Sequence, residues 1–417
     1  MKLVKMSLLA ATLIASSAFA IDNIKVDGDA KLFYSTQDGT SLNTTNNANN
    51  PDSSLFRQED SIGEAALRLG VTADLTEGIS AGATLYAVST LGLYNNLVGG
   101  TWTGGINDNF WFGEAWLAGT VGKTTGKIGR MTLDTPLVFT ETWSIVPNTF
   151  EAAVVINQDI PDTTLVGAYV GQSNDGILGG GITDNANGDA QNNIFSTFHK
   201  GAYTVGAINN SWEPLTVQAW YYQAQSILNT YWLQADLDIY GLQFGGQFVG
   251  LNEKALSGNN SIAAAAKIAY EMKDTFAISG AYSHVSSDQT TLDTGANLGG
   301  SGQSKLYTEA WLNYGVIGRS GTSAFNITAT TDEALTWAQL GAYITAATTS
   351  NGTTDQNLAA TDATFLEVTL EATKSFGPLD VGIYYILTDR NDANLDNASL
   401  DSGKSYNTAQ AYLTYNF

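Results

Sequence analysis

Apolar and polar residues alternate with period two along much of this chain. Residues 62–75 place Ala65, Leu67, Leu69, Val71, Ala73 and Leu75 on one face and Glu64, Arg68, Thr72 and Asp74 on the other. After Thr76-Glu77-Gly78 the alternation resumes at Ile79, Ala81, Ala83, Leu85 and Ala87. Similar pairs of segments flank Tyr240-Gly241, Lys273-Asp274 and Gly377-Pro378. Successive side chains of a strand point to opposite faces, so each segment predicts a strand with one apolar face, and each short break a tight hairpin turn. The final segment obeys the same rule. Ala409, Ala411, Leu413, Tyr415 and Phe417 share a face, opposite Gln410, Tyr412, Thr414 and Asn416.

The other ends of these hairpins carry long polar stretches, at 35–61, 92–109, 172–198, 287–303, 350–363 and 391–405. Short turns alternating with long loops, around strands that are apolar on one side, predict an all-β transmembrane antiparallel barrel. A pass along the chain finds about 19 candidate strands, but an even number is required when both ends of the chain lie on one side. We expect about 18, with 16 as the alternative. The surplus falls in 305–335, where Leu306–Tyr314, Ala324–Thr330 and Leu335–Thr348 compete. A barrel of that size encloses water, whereas one of eight strands is filled by its own side chains. Trp212, Tyr221, Tyr231, Tyr314 and Tyr415 fall near strand ends, as an interfacial aromatic girdle would.

Composition adds a destination. Lys2 and Lys5, the apolar run from Leu8 to Ala15 and Ala18-Phe19-Ala20 have the layout of a secretory leader, so residues 1–20 are read as a signal peptide and 21–417 as one barrel domain. There is no cysteine, hence no disulfide framework. Acidic residues number 40 against 18 basic, a net charge of −22, which repels nucleic acid and attracts cations.

If the apolar face meets lipid, the opposite face lines the lumen. It carries Glu64, Glu114, Asp236, Asp238, Glu271, Glu309, Glu367 and Glu371 against Arg68, Arg130, Lys267 and Lys305 as candidate pore-lining groups. An acidic wall concentrates cations and depletes anions.

The stretch 127–165, KIGRMTLDTPLVFTETWSIVPNTFEAAVVINQDIPDTTL, is the most distinctive part. With the two termini, it resembles OprD-type porins and, more closely, the major outer membrane porins of campylobacter-like bacteria. The resemblance implies an 18-stranded barrel, often a homotrimer, in which the loop at 132–150 folds inward and narrows the pore. It would set Arg130 on the wall at the constriction, Asp134 and Glu141 on the loop, and Glu151 where the loop rejoins the wall. The last strand also resembles the signal read by the outer-membrane barrel assembly machinery, carried here by Leu413, Tyr415 and Phe417. Substrate-specific members carry a ladder of basic residues. This chain has five arginines, Arg57, Arg68, Arg130, Arg319 and Arg390, which points instead to a general cation-preferring pore.

The expectation is therefore a porin of the bacterial outer membrane, passing small hydrophilic solutes and cations down their gradients. The alternatives are a selective channel for a small cationic or amphoteric nutrient, or a structural, adhesive surface barrel. No cofactor is implied. The two histidines, His199 and His284, come without a G-x-S-x-G elbow, so no enzyme is expected. Asp392, Asn394 and Asp396 have the opening spacing of a calcium loop. Asn397 replaces its glycine and Gly403 its glutamate, leaving a weak candidate for loosely bound Ca²⁺.

Overall fold

The computed structural model describes residues 21–39, 53–101, 108–143, 145–174, 195–254, 257–288, 290–300, 302–333, 335–350, 363–391 and 405–417. Its strands are β1 (Asp22–Gln37), β2 (Ser61–Thr76), β3 (Ile79–Ser89), β4 (Asp108–Val121), β5 (Thr124–Met131) and β6 (Phe150–Asn157). Next come β7 (Thr163–Ser173), β8 (Ser196–Trp212), β9 (Leu215–Ala224), β10 (Leu228–Ile239), β11 (Leu242–Glu253) and β12 (Asn260–Met272). The last are β13 (Phe276–Val285), β14 (Thr322–Thr331), β15 (Gln339–Thr349), β16 (Ala363–Phe376), β17 (Leu379–Asn391) and β18 (Ser405–Asn416). Each strand pairs antiparallel with its sequence neighbours, and β18 pairs with β1 from Asp29↔Asn416 to Gln37↔Thr408. The ring is closed, so no strand edge is left to present unpaired backbone to lipid.

Alternation assigns the faces. On β10, Tyr231, Leu233 and Ile239 are exposed on the outside, while Thr230 and Trp232 are buried inside. The same holds on β18, where Leu413, Tyr415 and Phe417 face out and Gln410 is buried inward. Phe417 exchanges two backbone hydrogen bonds with Gly28, sewing the last residue to β1. The outer belt of Leu233, Ile268, Ile327, Ile344, Leu370 and Ile383 is a surface that belongs in hydrocarbon.

Turns are tight on the side that holds both ends of the ring. Tyr240 and Gly241 both have positive φ, 55° and 85°, the backbone of a two-residue hairpin turn whose twist matches its strands. A Cβ on Gly241 would lie 2.3 Å from the Glu271 carbonyl oxygen, so only glycine fits there.

Of the three segments competing in 305–335, Ala324–Thr330 lies within β14 and Leu335–Thr348 supplies most of β15. Leu306–Tyr314 is no strand; it belongs to the long connection between β13 and β14, inside the ring, and Tyr314 packs there on Trp143 with ring centroids 5.0 Å apart. Tyr314 is therefore not part of an interfacial girdle. Removing this segment gives 18 strands rather than 16.

Candidate functional site

Among the described residues two connections on the long-loop side run into the ring and meet there: the third, 132–149, and the seventh, 286–321. β5 ends at Met131, which is buried inward, and the chain follows it into the lumen. Thr135 turns the third loop by bonding Val138 through both its amide and its hydroxyl. At the tip, the Leu137 amide donates to the Tyr222 hydroxyl on β9 at 3.3 Å. On the return, the Tyr412 hydroxyl on β18 donates to the Trp143 carbonyl at 3.0 Å. β9 and β18 lie on opposite sides of the ring, so the loop spans it.

The seventh loop is held by carboxylates of the wall. Glu253, at the end of β11, accepts the amides of Leu292 at 2.6 Å and Thr291 at 3.0 Å. Glu367 on β16 accepts the amides of Trp311, Leu312 and Asn313 at 2.7, 3.0 and 3.0 Å, and the Asn313 side-chain amide at 2.6 Å. Between these anchors Gln247 on β11 bonds the backbone of Lys305 and Tyr307, and the Tyr307 hydroxyl donates to Asp236 at 2.6 Å. Loop amides have no ladder partner, and an ionised carboxylate is the acceptor that satisfies several at once.

Asn297 joins the two loops. Its side-chain amide donates to the Phe139 carbonyl at 2.8 Å and to Glu141 at 2.9 Å, and its oxygen accepts the Phe139 amide at 3.2 Å. Asn148 reaches back from the third loop to the Gly299 carbonyl at 3.0 Å. Lys305 pairs with Asp134 and lies over the Phe139 ring. Behind this junction sits an apolar cluster inside the ring that includes Leu137, Phe150, Phe198, Trp232, Val249 and Ile317.

Strand parity sets Glu64, Arg68, Glu114, Asp236, Asp238, Lys267, Glu271, Glu367 and Glu371 on the inner face, but the structure divides them by task. Glu64 and Glu367 are buried, while Asp238 and Glu271 are exposed toward the turn side. Lys267 lies 4.0 Å from Asp236 and over the Tyr307 ring. Lys305 and Glu309 are not wall residues; both stand on the seventh loop. Asp134 is exposed in the lumen, whereas Glu141 is buried, accepting the indole N–H of Trp143 at 3.1 Å.

Arg130 and Glu151 are a correction. Each leaves its strand on the outer side, because the residues flanking them, Met131 and Phe150, are buried inward and Ile128 is exposed outward. Arg130 bonds Glu151 at 2.8 Å and the Phe112 carbonyl at 3.0 Å, and lies over the Phe195 ring. Both line a 770 Å³ groove on the outside of the ring with Tyr169 and Lys200, not the junction of the loops.

On the β13–β18 side the loops leave a 360 Å³ cavity bordered by Trp143, Trp311, Tyr314, Tyr343, Tyr412 and Glu309. Among the described residues no lysine, arginine or histidine lines it. Burial pushes the Glu309 carboxyl up to about 7, although the Ser304 and Ala310 amides donate to it. Burial likewise lifts Asp293, on the same loop, to about 6, against the opposing pull of Arg319. Among the described residues no group of three or more His, Cys, Asp or Glu is placed to hold a metal ion. The calcium candidates Asp392, Asn394 and Asp396 lie outside the described residues.

Reasoning from sequence missed Glu253, Asn297, Gln247 and Trp311. Trp311 had a signal: in 306–314 large residues occupy both parities, which a strand with a wet inner face avoids.

No family model and no curated protein matches the sequence. Solved structures do match the fold. OccK8 (OprE) of Pseudomonas aeruginosa superposes with a TM-score of 0.69 at 14% identity, covering 96% of this chain and 99% of that one. OpdQ of the same organism gives 0.68 at 15% identity over 94% and 97%. A variant of OccD1 (OprD) gives 0.68 at 12% identity over 96% and 97%.

Proposed function

We propose that this chain, which has the fold of the OprD-type porins, is a channel of the bacterial outer membrane for passive diffusion of small hydrophilic solutes and ions, with a preference for cations. One observation carries the reading: a closed 18-stranded ring with an apolar outer belt holds two inward loops that leave a cavity beside them. A purely structural barrel has no use for such a space. Cation preference is supported by the absence of basic groups among the described residues around that cavity and by Asp238 and Glu271 toward the turn-side mouth. Transport follows the solute gradient, so no cofactor is required.

Selectivity for a small cationic or amphoteric nutrient is a second reading, favoured by the enclosed, aromatic character of the cavity. A homotrimer is proposed as well. The outward Arg130–Glu151 pair is costly against acyl chains, and a neighbouring protomer would satisfy it better. Export through residues 1–20 and insertion directed by Leu413, Tyr415 and Phe417 complete the proposal.

The test is reconstitution of the refolded protein in planar bilayers across a KCl gradient. A reversal potential of the sign for cation flow is expected. Anion preference would sink the charge filter, and a complete lack of conductance would favour the surface-barrel alternative.

A further inference from the structure

We infer that the 360 Å³ cavity between the two loops and the β13–β18 wall is a binding site for a small organic ammonium ion without a carboxylate, such as a quaternary ammonium alcohol. The inference rests on the channel reading and names a solute class for it. Its size lies at the lower end for small-molecule sites, right for a compact cation and cramped for a long peptide.

The rings are wired for a cation. Three of those lining the cavity give their own polar hydrogen to a carboxylate: Trp143 to Glu141, Tyr307 to Asp236 and Tyr343 to Glu371, at 3.1, 2.6 and 3.1 Å. A phenol or indole that donates to an anion becomes richer in electrons on its face, which strengthens its attraction for a cation. The acids meet the rings at their polar edges, and none of the three borders the cavity. Further rings extend the arc: Tyr314 packs on Trp143, and Trp311 on Tyr384 at 4.6 Å. The protein already uses this chemistry, since the Lys267 ammonium sits 4.7 Å from the Tyr307 ring centre.

Two features argue against other guests. An anionic or zwitterionic carboxylate would enter a space with no basic side chain among the described residues and with the Glu309 carboxyl on its border. A sugar also stacks on rings, but it binds carboxylates directly through its hydroxyls. Here Glu141 and Glu371 are engaged by ring hydrogens instead.

The experiment measures binding of choline to the folded full-length protein by calorimetry and tryptophan fluorescence, beside its uncharged isostere 3,3-dimethylbutan-1-ol, glycine and glucose. Choline is expected to bind at least about tenfold tighter than the isostere, the size of one or two desolvated cation–π contacts. Glu371→Gln keeps the ring and removes the charge at its polar edge. It should weaken choline severalfold and leave the isostere unchanged, and Tyr343→Leu on the wall should weaken both. Equal binding of choline and its isostere, or tighter binding of glucose, would overturn the assignment. These measurements need no current. Absent conductance would refute the channel alone, and normal conductance with no choline binding would refute the site alone.

Discussion

The third and seventh loops meet at one junction but are fastened by different chemistry. The third is held by neutral groups, the hydroxyls of Tyr222 and Tyr412 and the amide of Asn174, and by burial of Leu137, Val138, Phe139, Ile145 and Val146. The seventh is clamped at its start and middle by the carboxylates of Glu253 and Glu367. The difference bears on the function of the acidic wall. A carboxylate that takes three backbone amides is a fastener, largely unavailable to permeating ions. The count of inward acids thus overstates the charge filter, which falls to groups still facing water, such as Asp134, Asp238 and Glu271.

Removing a fastener should separate the two loops most clearly. Hydrogen bonds to charged groups contribute about 1.5–3 kcal/mol each, and stranding several buried amides places Glu367→Ala at about 3–5 kcal/mol against docking of the seventh loop. The barrel should still form, with conductance raised severalfold and rapid protease cleavage within 286–321. If that segment stayed as protected as in the parent protein, the carboxylate would not be its fastener.

The two loops should also part company with pH. Glu309 and Asp293, both on the seventh loop, have carboxyls lifted by burial to about 7 and about 6. A carboxyl raised above its unfolded value favours the folded state while protonated. That contribution is complete below about pH 4.5 for Glu309 and about pH 3.8 for Asp293, and is lost as pH rises through 7 and through 6 respectively. The seventh loop should therefore exchange amide hydrogens faster at pH 8 than at pH 5, by an effect on the order of 2–3 kcal/mol. The third loop should change only where it touches its neighbour. Glu309→Gln should flatten most of the profile, and an undiminished pH dependence in that variant would remove Glu309 from the account.

The ring was legible in the sequence because period-two alternation is a local signal. Residues 62–75 and 409–417 each reveal their two faces without reference to the rest of the chain. The inward course of the seventh loop was not, because its order comes from distant partners: Glu253 for Leu292, Gln247 for Tyr307 and Glu367 for Trp311. Leu306–Tyr314 imitates a strand since a loop packed inside a barrel also needs apolar residues. Arg130 and Glu151 illustrate another limit. Both the face assignment and likeness to a family loop set Arg130 on the inner side, whereas the exposure of Ile128 and Val155, which share parity with Arg130 and Glu151, puts the pair outside.

The joint between the loops is a smaller lever than either anchor. Asn297→Ala removes one side chain that satisfies both the amide and the carbonyl of Phe139. A buried network of this kind, which also includes the bond to the Glu141 carboxylate, is worth about 2 kcal/mol. Both loops should loosen together, seen as parallel gains in hydrogen exchange at 132–149 and 286–321. Loosening confined to one would mean that the loops dock independently, as two separate gates.

The smallest effect tests which side of the wall matters. Arg130 and Glu151 are each about a third exposed, at 33% and 36%, on the outer side of the ring. Since both lie outside the ring, Arg130→Gln should leave single-channel conductance and reversal potential unaltered. Asp134→Asn, which removes a carboxylate standing in the lumen beside Lys305, should shift the reversal potential toward weaker cation preference. The contrast is sharper than either variant alone, because the two charges are four residues apart in sequence and opposite in sign. Were both inside, neutralising Arg130 would strengthen cation preference while neutralising Asp134 weakened it. A silent Arg130→Gln beside a responsive Asp134→Asn is what a wall between them requires.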